Sequence, residues 1–250
     1  MSEPDRTDAA GTARATGPEQ TEVEVEAFSP ACRQVLERSE HALIGVSTGN
    51  SYFTQHNLAM LLKWATGRFD LVDVVFADLH LADIYAADGY TSQHAASRAT
   101  KTARDTRRRI RRAVEQLPST AAVRVRSLSD CATLPGYREV HARLESARGR
   151  DRELAQICDD HVARWLDSDS QTAAARSDGY DARHRAGLAY LMAELPLLAA
   201  TPEVLDTPSS VCCYHTFMPI LHGLRRLGGY WHPEQAHAAV HLPPRAAEAA

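Results

Sequence analysis

The stretch HALIGVS at residues 41–47 is a mostly apolar run of strand length, and the turn signal Gly49-Asn50 follows it. Between residues 58 and 65 apolar side chains recur with helical period, and LVDVVFA at residues 71–77 reads as a second buried strand. Strand, helix and strand in this order predict a βαβ unit with parallel pairing and a right-handed crossover. The loop after residue 47 then lies at the carboxyl edge of an open α/β sheet, where ligands of such sheets bind.

Helices and strands continue to alternate along the rest of the chain. The pattern predicts a helix over 91–117, a strand over 121–127, helical segments at 137–148 and 151–166, a helix over 183–195 that stops at Pro196, and a strand over 210–215. Residues 167–180 are polar and irregular, and nothing in the sequence assigns a role to residues 165–182. We therefore predict one α/β domain over residues 29–232, a disordered tail at 1–28 and a loose C-terminal end at 233–250.

Composition excludes several classes of protein. The chain has 250 residues, of which 44% are hydrophobic and 24% charged, so it can bury a core and is not a disordered acidic tail. No apolar run approaches the roughly 20 residues that a bilayer demands, and the N-terminus lacks the features of a signal peptide. We therefore expect a cytoplasmic protein with no membrane partner. The five cysteines show no CxxC spacing, and no H-E-x-x-H is present, so we assign no disulfide and no metal ligand.

Charge is concentrated in one predicted helix. Eight basic residues face two acids between Arg98 and Glu115, so this window carries +6 in a chain of net charge −4. On a helical projection Arg98, Lys101, Arg108 and Arg112 share one stripe, whereas the apolar residues lie on another side. A charge run is usually a solvated face, but such faces mix signs and this one is nearly all basic. The pattern indicates a local binding site for a polyanion.

Ser47 is the candidate nucleophile in the loop after the first strand. Gly45-Val46-Ser47-Thr48-Gly49 matches G-x-S-x-G, a pattern that presents a serine on a tight turn, although a glycine-rich turn with a capping serine reads the same way. A serine esterase would use this pattern, but its nucleophile follows several strands and here only one strand precedes Ser47. The esterase is therefore the weaker of the two interpretations, and it is kept as an alternative.

Four separate motifs resemble those of one enzyme family. The segments HALIGVSTGNSYF, KTARDTRRRIRR, AGLAYLMAE and SSVCCYH occur in the order and approximate spacing of the cyclodipeptide synthases, over residues 41–219. The resemblance implies a single Rossmann-like domain with a parallel-rich sheet flanked by helices, similar to the catalytic domain of class I aminoacyl-tRNA synthetases. It also implies an enzyme that joins the amino acids of two aminoacyl-tRNAs into a diketopiperazine, with no cofactor, no ATP and no metal.

The resemblance assigns roles to individual residues. Ser47 matches the family's nucleophile, and Tyr190 and Glu194, one turn apart on a predicted helix, match the pair that handles the amino group. Tyr214 matches the tyrosine implicated in ring closure. Asn50, Tyr137 and His215 match polar and aromatic residues of the pocket, and Asn50, Tyr214 and His215 together give the signature of one of the family's two branches.

The same resemblance marks the binding surfaces. The pocket for the first aminoacyl group is expected to be lined by uncharged residues, namely Leu43, Gly45, Val75, Ala77, Leu128, Leu197 and Cys212. Phe217 and Met218 are expected at the second site, so both sites favour apolar amino acids. The basic helix is expected to bind tRNA through Arg98, Lys101, Arg104, Arg108, Arg109, Arg111 and Arg112.

The sequence thus predicts a ping-pong aminoacyltransferase. One aminoacyl-tRNA acylates Ser47, the second reacts with this acyl-enzyme, and the dipeptidyl-enzyme cyclises. A tailoring enzyme that acts on the product is a further expected partner. The alternatives are the serine esterase and a tRNA-binding module without catalytic activity.

Overall fold

A computed structural model describes residues 23–169 and 179–243. Its strands are β1 Glu24–Ala27, β2 His41–Val46, β3 Leu71–Phe76, β4 Val123–Ser127, β5 Ser210–Tyr214 and β6 Gln235–His241. Its helices are α1 Pro30–Arg38, α2 Gln55–Thr66, α3 Leu81–Ala87, α4 Ser92–Val114, α5 Leu128–Cys131, α6 Pro135–Arg150, α7 Arg152–Asp169, α8 Tyr180–Leu205 and α9 Ile220–Leu227.

The strands form one sheet in the order β1-β6-β5-β2-β3-β4. All neighbours are parallel except β1, which pairs antiparallel with β6. β2 and β3 are almost entirely buried because helices cover both faces of the sheet, which explains why their sequences are continuous apolar runs. One apolar core includes residues of α6, α7, α8 and α9, and the other includes residues of α1, α2 and α4. The predicted fold class is confirmed.

Both predicted chain ends are wrong where the structure describes them. β1 lies within the predicted tail, and β6 lies within the predicted loose end yet occupies an inner position of the sheet. Residues 235–240 are all buried. The alanines of β6 have weak strand propensity, so its position depends on neighbouring strands and helices that propensity cannot reveal. Residues 1–22 and 244–250 lie outside the described parts of the chain.

The predicted stop of a helix at Pro196 is also wrong. α8 continues through Pro196 to Leu205 and departs from helical geometry only at Ala200, with φ −153° and ψ 48°. Pro202 has no N–H to offer the Leu198 carbonyl, and His237 Nε2 of β6 bonds to that carbonyl at 2.8 Å instead. The backbone N–H of Thr201 donates to Gln235 Oε1 at 2.8 Å. Polar side chains of β6 thus replace hydrogen bonds that the interrupted helix lacks.

The predicted irregular stretch 167–180 is wrong at both of its ends. Asp167–Asp169 complete α7 and Tyr180 begins α8, whereas residues 170–178 lie outside the described part of the chain. α8 is long and apolar enough to cross a membrane by length and composition, but 67% of its apolar window is buried in the protein. It packs against α6 and α7 as the core helix of a globular protein does.

Candidate active site

A tight turn directly after β2 positions Ser47. The backbone N–H of Asn50 donates to the Ser47 carbonyl at 3.4 Å, and Gly49 has φ +85°, a left-handed conformation that favours glycine. The Thr48 hydroxyl donates to the carbonyl of Ala77, just beyond β3. This turn therefore holds Ser47 at the carboxyl edge of the sheet, where the βαβ unit predicts a ligand site.

Tyr214, at the end of β5, contacts Ser47 from the neighbouring strand. The two hydroxyl oxygens are 2.9 Å apart. Asn50 Nδ2 donates to the Tyr214 hydroxyl at 3.4 Å and lies 3.5 Å from His215 Nε2, while Asn50 Oδ1 accepts from the backbone N–H of Tyr52 at 2.9 Å. The His215 ring stacks on Tyr52 with centroids 4.3 Å apart, so two rings and one amide fix the surroundings of the Ser47–Tyr214 pair.

Tyr190 and Glu194 approach the same serine from α8. The Tyr190 side chain hydrogen-bonds to both Glu194 and Ser47. Burial raises the pKa of Tyr190 well above its usual range, and burial also raises the pKa of Tyr214 although its hydrogen bond with Ser47 opposes the shift. Both phenols are therefore neutral hydrogen-bond donors at physiological pH.

Glu194 is the acidic group of this cluster. Burial raises its pKa from 4.5 to about 7, against the opposing effect of the hydrogen bond from Tyr190. A carboxyl group that titrates near neutral pH can hold an amine or move a proton. Burial also lowers the pKa of His215, with a smaller contribution from His241, so the His215 imidazole is neutral at pH 7.

An apolar pocket opens beside Ser47. Its lining includes eight of the residues expected at the two aminoacyl sites, together with Ser47, Glu194 and Tyr214. Those eight are Leu43, Gly45, Val75, Ala77, Leu128, Leu197, Cys212 and Met218. Val46 and Leu198 line it as well and were missed by sequence reasoning, although each adjoins a residue that the resemblance marks. Glu194 is the ionisable carboxyl group in an otherwise uncharged wall.

Three predicted site residues have other surroundings. Tyr137 is buried, and its hydroxyl donates to the Ala193 carbonyl at 2.8 Å, one residue before Glu194. Phe217 does not line the pocket and packs edge-on against Phe28 with centroids 5.2 Å apart. Arg109 turns inward, where its guanidinium donates to the Phe53 carbonyl at 2.9 Å. Tyr137 and Phe217 therefore lie outside the lining of the pocket beside Ser47, and Arg109 does not join the exposed face of α4.

The basic face of α4 is exposed along its length. Arg98, Lys101, Arg104, Arg108, Arg111 and Arg112 all point to solvent, whereas Ala95, Thr106, Ile110 and Ala113 are buried. Arg111 pairs with Glu115 at 3.4 Å, an exposed pair of little energetic weight. We call these six residues the basic face, and it offers positive charge that a polyanion can neutralise.

The surroundings of Ser47 differ from those of an esterase serine. An eight-residue loop, 47–54, separates β2 from α2, so Ser47 does not sit on a strand-to-helix elbow. A Ser210–His41–Asp73 row of hydrogen bonds does exist, with distances of 2.8 and 3.1 Å. All three residues are at most 2% exposed, and His41 and Ser210 begin their strands at the edge opposite Ser47, so this row cannot reach a substrate.

The described residues carry no cluster of metal-binding side chains. Within residues 23–169 and 179–243, no group of three or more His, Cys, Asp and Glu side chains could hold a metal ion. All five cysteines are buried free thiols. Burial raises the pKa of Cys212, which lines the pocket, to about 12, so its thiol is uncharged there.

Fold and site together define a Rossmann-like α/β protein with a serine held by tyrosine hydroxyls at the carboxyl edge of the sheet. A family model described as cyclodipeptide synthase matches residues 23–242. The chain belongs to the cyclodipeptide synthase family, as its motifs indicated.

Two relatives by sequence and one solved structure are similar to this chain over most of their length. A cyclo(L-leucyl-L-phenylalanyl) synthase from Streptomyces noursei is 42% identical over 87% of this chain and 91% of its own. A solved structure of a cyclo(L-leucyl-L-phenylalanyl) synthase has a TM-score of 0.81 at 40% identity, covering 88% of this chain and 99% of that one. A cyclo(L-tyrosyl-L-tyrosyl) synthase from Mycobacterium tuberculosis is 35% identical over 86% of this chain and 75% of its own.

A solved Mycobacterium tuberculosis structure relates the family to tRNA synthetases. That structure demonstrates that cyclodipeptide synthetases are related to type I tRNA synthetases. Its TM-score is 0.79 at 34% identity, covering 88% of this chain and 94% of that one.

Proposed function

We propose that this chain joins the aminoacyl groups of two aminoacyl-tRNAs into a 2,5-diketopiperazine through an aminoacyl ester on Ser47. The observation that carries the proposal is the cluster of Ser47, Tyr190, Tyr214 and Glu194 at the mouth of an apolar pocket. An aminoacyl-tRNA is already an activated ester, so a serine hydroxyl can accept its acyl group without nucleotide hydrolysis.

In the first step Ser47 Oγ attacks the ester carbonyl carbon of one aminoacyl-tRNA. The bond to the 3′-terminal ribose oxygen breaks, and that oxygen takes up the proton that Ser47 releases. Tyr190 and Tyr214 both hydrogen-bond to Ser47 in the free protein, so they can orient Oγ, and the neutral Tyr214 hydroxyl can donate to the developing charge.

The second step requires a free amine on the Ser47-bound aminoacyl group. This amine attacks the ester of the second aminoacyl-tRNA, whose ribose leaves, and a dipeptidyl group remains on Ser47. The new terminal amine then attacks the ester carbonyl at Ser47, which closes the six-membered ring and restores the hydroxyl. Each attack releases one proton from an amine, and Glu194, with a pKa of about 7, is suited to accept it.

The pocket favours apolar amino acids. Burying a charged side chain among Leu43, Val75 and Leu128 without a partner costs several kcal/mol, whereas each methylene that fills the site contributes roughly 0.8 kcal/mol. Small residues at Gly45, Ala77 and Cys212 leave room for a large side chain. The two relatives above are named for leucyl, phenylalanyl and tyrosyl products, which agrees with a pocket of this kind.

The basic face of α4 supplies the surface for the tRNA. Arginine pairs bidentately with phosphate, and the six exposed cations have one ion-paired carboxylate, Glu115, among the described residues. This surface belongs to the helix that runs from the carboxyl edge of the sheet toward the opposite edge, so a tRNA lying along it points one end at Ser47.

The test is to incubate the purified protein with tRNAs charged with leucine, phenylalanine, tyrosine, methionine or tryptophan and identify products by mass spectrometry. A diketopiperazine, with a labelled aminoacyl group retained on acid-quenched protein, is expected. Uncharged tRNA with free amino acids is the control. Hydrolysis of simple esters without diketopiperazine would support the esterase instead, and tRNA binding without either product would support a binding module.

A further inference from the structure

Two tyrosines and one arginine form a cluster where α3 meets α4. The Arg98 guanidinium carbon lies 5.0 Å from the Tyr85 ring centroid and 5.1 Å from that of Tyr90. The two rings meet edge to face with centroids 6.0 Å apart, and the Tyr85 hydroxyl is 3.1 Å from Thr102 Oγ1. Three side chains are therefore fixed relative to one another before any ligand binds.

Tyr90 is unusually exposed for an aromatic side chain in this fold. It is 41% exposed, and among the described residues only Trp165 is a comparably exposed large apolar side chain. Arg98 is exposed too, and in the part of the chain that the structure covers no carboxylate forms an ion pair with it. The cluster thus presents an aromatic surface and an uncompensated guanidinium to solvent.

The cluster lies at the end of the basic face that is nearer to the pocket. α3 follows Ala77, which lines the pocket, and α4 begins at the same carboxyl edge of the sheet. α4 then runs back across the sheet, so Arg112 lies about 21 Å farther along the helix than Arg98. The Tyr90–Arg98 cluster therefore lies at the carboxyl-edge end of the basic face, and Ser47 follows β2 at the same edge of the sheet.

A tRNA has two kinds of surface along this path. Its acceptor stem is a duplex that offers phosphates, whereas its aminoacylated 3′ end is unpaired and offers exposed base faces. Proteins bind unpaired RNA bases by stacking them on aromatic rings and on guanidinium planes. Lys101 to Arg112 suit the duplex, and the aromatic cluster near the pocket suits the unpaired end.

We propose that Tyr90 and Arg98 bind an unpaired nucleotide of the tRNA 3′ end, by stacking of its base and contact with its phosphate. The proposal rests on the proposed function, since it assumes a tRNA substrate. It assigns the cluster a positioning role: it holds the strand between the acceptor stem on α4 and the ester at Ser47. Tyr85 supports Arg98 from beneath and is not assigned a contact with RNA.

The experiment compares two RNA minihelices that are identical except that one carries the unpaired 3′ nucleotides of tRNA and the other is blunt. Fluorescence anisotropy at one fixed salt concentration gives the Kd of each probe. Wild-type protein should bind the overhang probe more tightly than the blunt one. Tyr90→Ala should weaken binding of the overhang probe by about tenfold and leave the blunt probe unchanged. Tyr90→Phe, which keeps the ring, should bind both probes as wild type does.

Arg68→Ala is the matched control, because Arg68 also lies over an aromatic ring, that of Phe69, but at the opposite edge of the sheet. It should not change either Kd. Diketopiperazine formation is measured in parallel, where Tyr90→Ala should raise the KM for aminoacyl-tRNA and retain kcat. If the ratio of the overhang Kd to the blunt Kd is the same in Tyr90→Ala as in wild type, the proposed nucleotide site is wrong, even if product forms. If wild type makes no product from charged tRNA, the proposed function has failed, whereas the two Kd values still decide whether the nucleotide site exists.

Discussion

The hydroxyl oxygens of Ser47 and Tyr214 lie 2.9 Å apart although the residues are 167 positions apart in the chain. Their contact depends on the parallel pairing of β2 with β5, in which Leu43 lies opposite Cys212 and Ile44 opposite Cys213. One step further, Gly45 lies beside Tyr214, and a Cβ there would be 4.0 Å from Tyr214 Cδ2. The missing side chain at Gly45 leaves space next to the Tyr214 ring, so one glycine shapes both the pocket and the contact with the nucleophile.

Replacing Ser47 by alanine should abolish diketopiperazine formation and the acid-stable aminoacyl adduct. The variant should still fold, because the half-buried hydroxyl makes few contacts and Tyr214 keeps Asn50 as a hydrogen-bond partner. We expect a stability change of about 1 kcal/mol or less in urea denaturation. Retention of the adduct in Ser47→Ala would place the acyl group elsewhere.

The raised pKa of Glu194 predicts a pH-dependent stability difference between wild type and Glu194→Gln. In the unfolded chain this group titrates near 4.5 and in the fold near 7, so the fold favours its protonated form. Its proton-linked stabilisation is present below about pH 4.5 and is lost as pH rises to about 7. At pH 8 the glutamine variant should be more stable than wild type by up to about 3 kcal/mol.

Urea denaturation of both proteins between pH 4 and 8 measures this difference. The gap should widen through the window from 4.5 to 7 and then stay constant. A gap that is the same at every pH would show that Glu194 titrates normally. Product formation by Glu194→Gln should fall at all pH values, because the amide cannot take up the proton of the attacking amine.

Charge reversal on the basic face should weaken the use of tRNA. Replacing Arg108 and Arg112 by glutamate should raise the KM for aminoacyl-tRNA and reduce the slope of log K against log salt by about two. Both side chains are exposed, so little stability should be lost. The control is Arg33→Glu with Arg150→Glu, which changes the net charge equally from exposed positions on α1 and α6. Equal effects in the two double variants would show that the basic face is a solvated surface with no specific role in tRNA binding.

The sequence predicted the centre of the fold better than its edges. The βαβ unit of β2, α2 and β3 can be predicted from sequence because its strands are continuous apolar runs. β6 could not be predicted in this way, because it consists largely of alanines with His237 among them, and its inner position depends on strands that are distant in sequence. The prediction at Pro196 was wrong for a related reason. The low helix propensity of proline favours a helix end there, but packing of α8 against α6 and α7 stabilises the continued helix.

The sequence motifs predicted the central residues of the candidate site, but they did not predict how the surrounding side chains pack. The loop and strand motifs brought Ser47, Asn50 and Tyr214 together, as the geometry now shows. Arg109 could have been separated from the basic face, because it lies three residues after Thr106 and four before Ala113, both of which are buried. No local pattern shows that Phe217 packs on Phe28, since that contact joins two distant segments of the chain.

Close packing of α6 against α8 depends on Gly136. A Cβ at this position would lie 2.2 Å from the carbonyl oxygen of Glu203, which is backbone and cannot move aside easily. Gly136→Ala should therefore destabilise the fold by about 1–3 kcal/mol. Gly149, on the same helix, has nothing within 4 Å of a built Cβ, so Gly149→Ala should instead stabilise by about 0.5–1 kcal/mol. Thermal denaturation of the two variants tests the pair, and equal effects would contradict the close approach.

A methyl group at Gly45 should change which amino acids are joined. The position lines the pocket beside Leu43 and Cys212, and a Cβ there meets only Tyr214 Cδ2, at 4.0 Å, which is ordinary contact. Gly45→Ala should therefore fold normally and keep the Ser47 site, while the added methyl removes space for a large side chain. With equal amounts of several charged tRNAs, the dominant diketopiperazine should shift toward smaller apolar residues, and total product with the largest ones should fall. Mass spectrometry of the product mixture, with Gly149→Ala as the control, gives the measurement. An unchanged product profile, or a dominant product that contains Glu, Lys or Arg, would show that this pocket does not hold the first aminoacyl group.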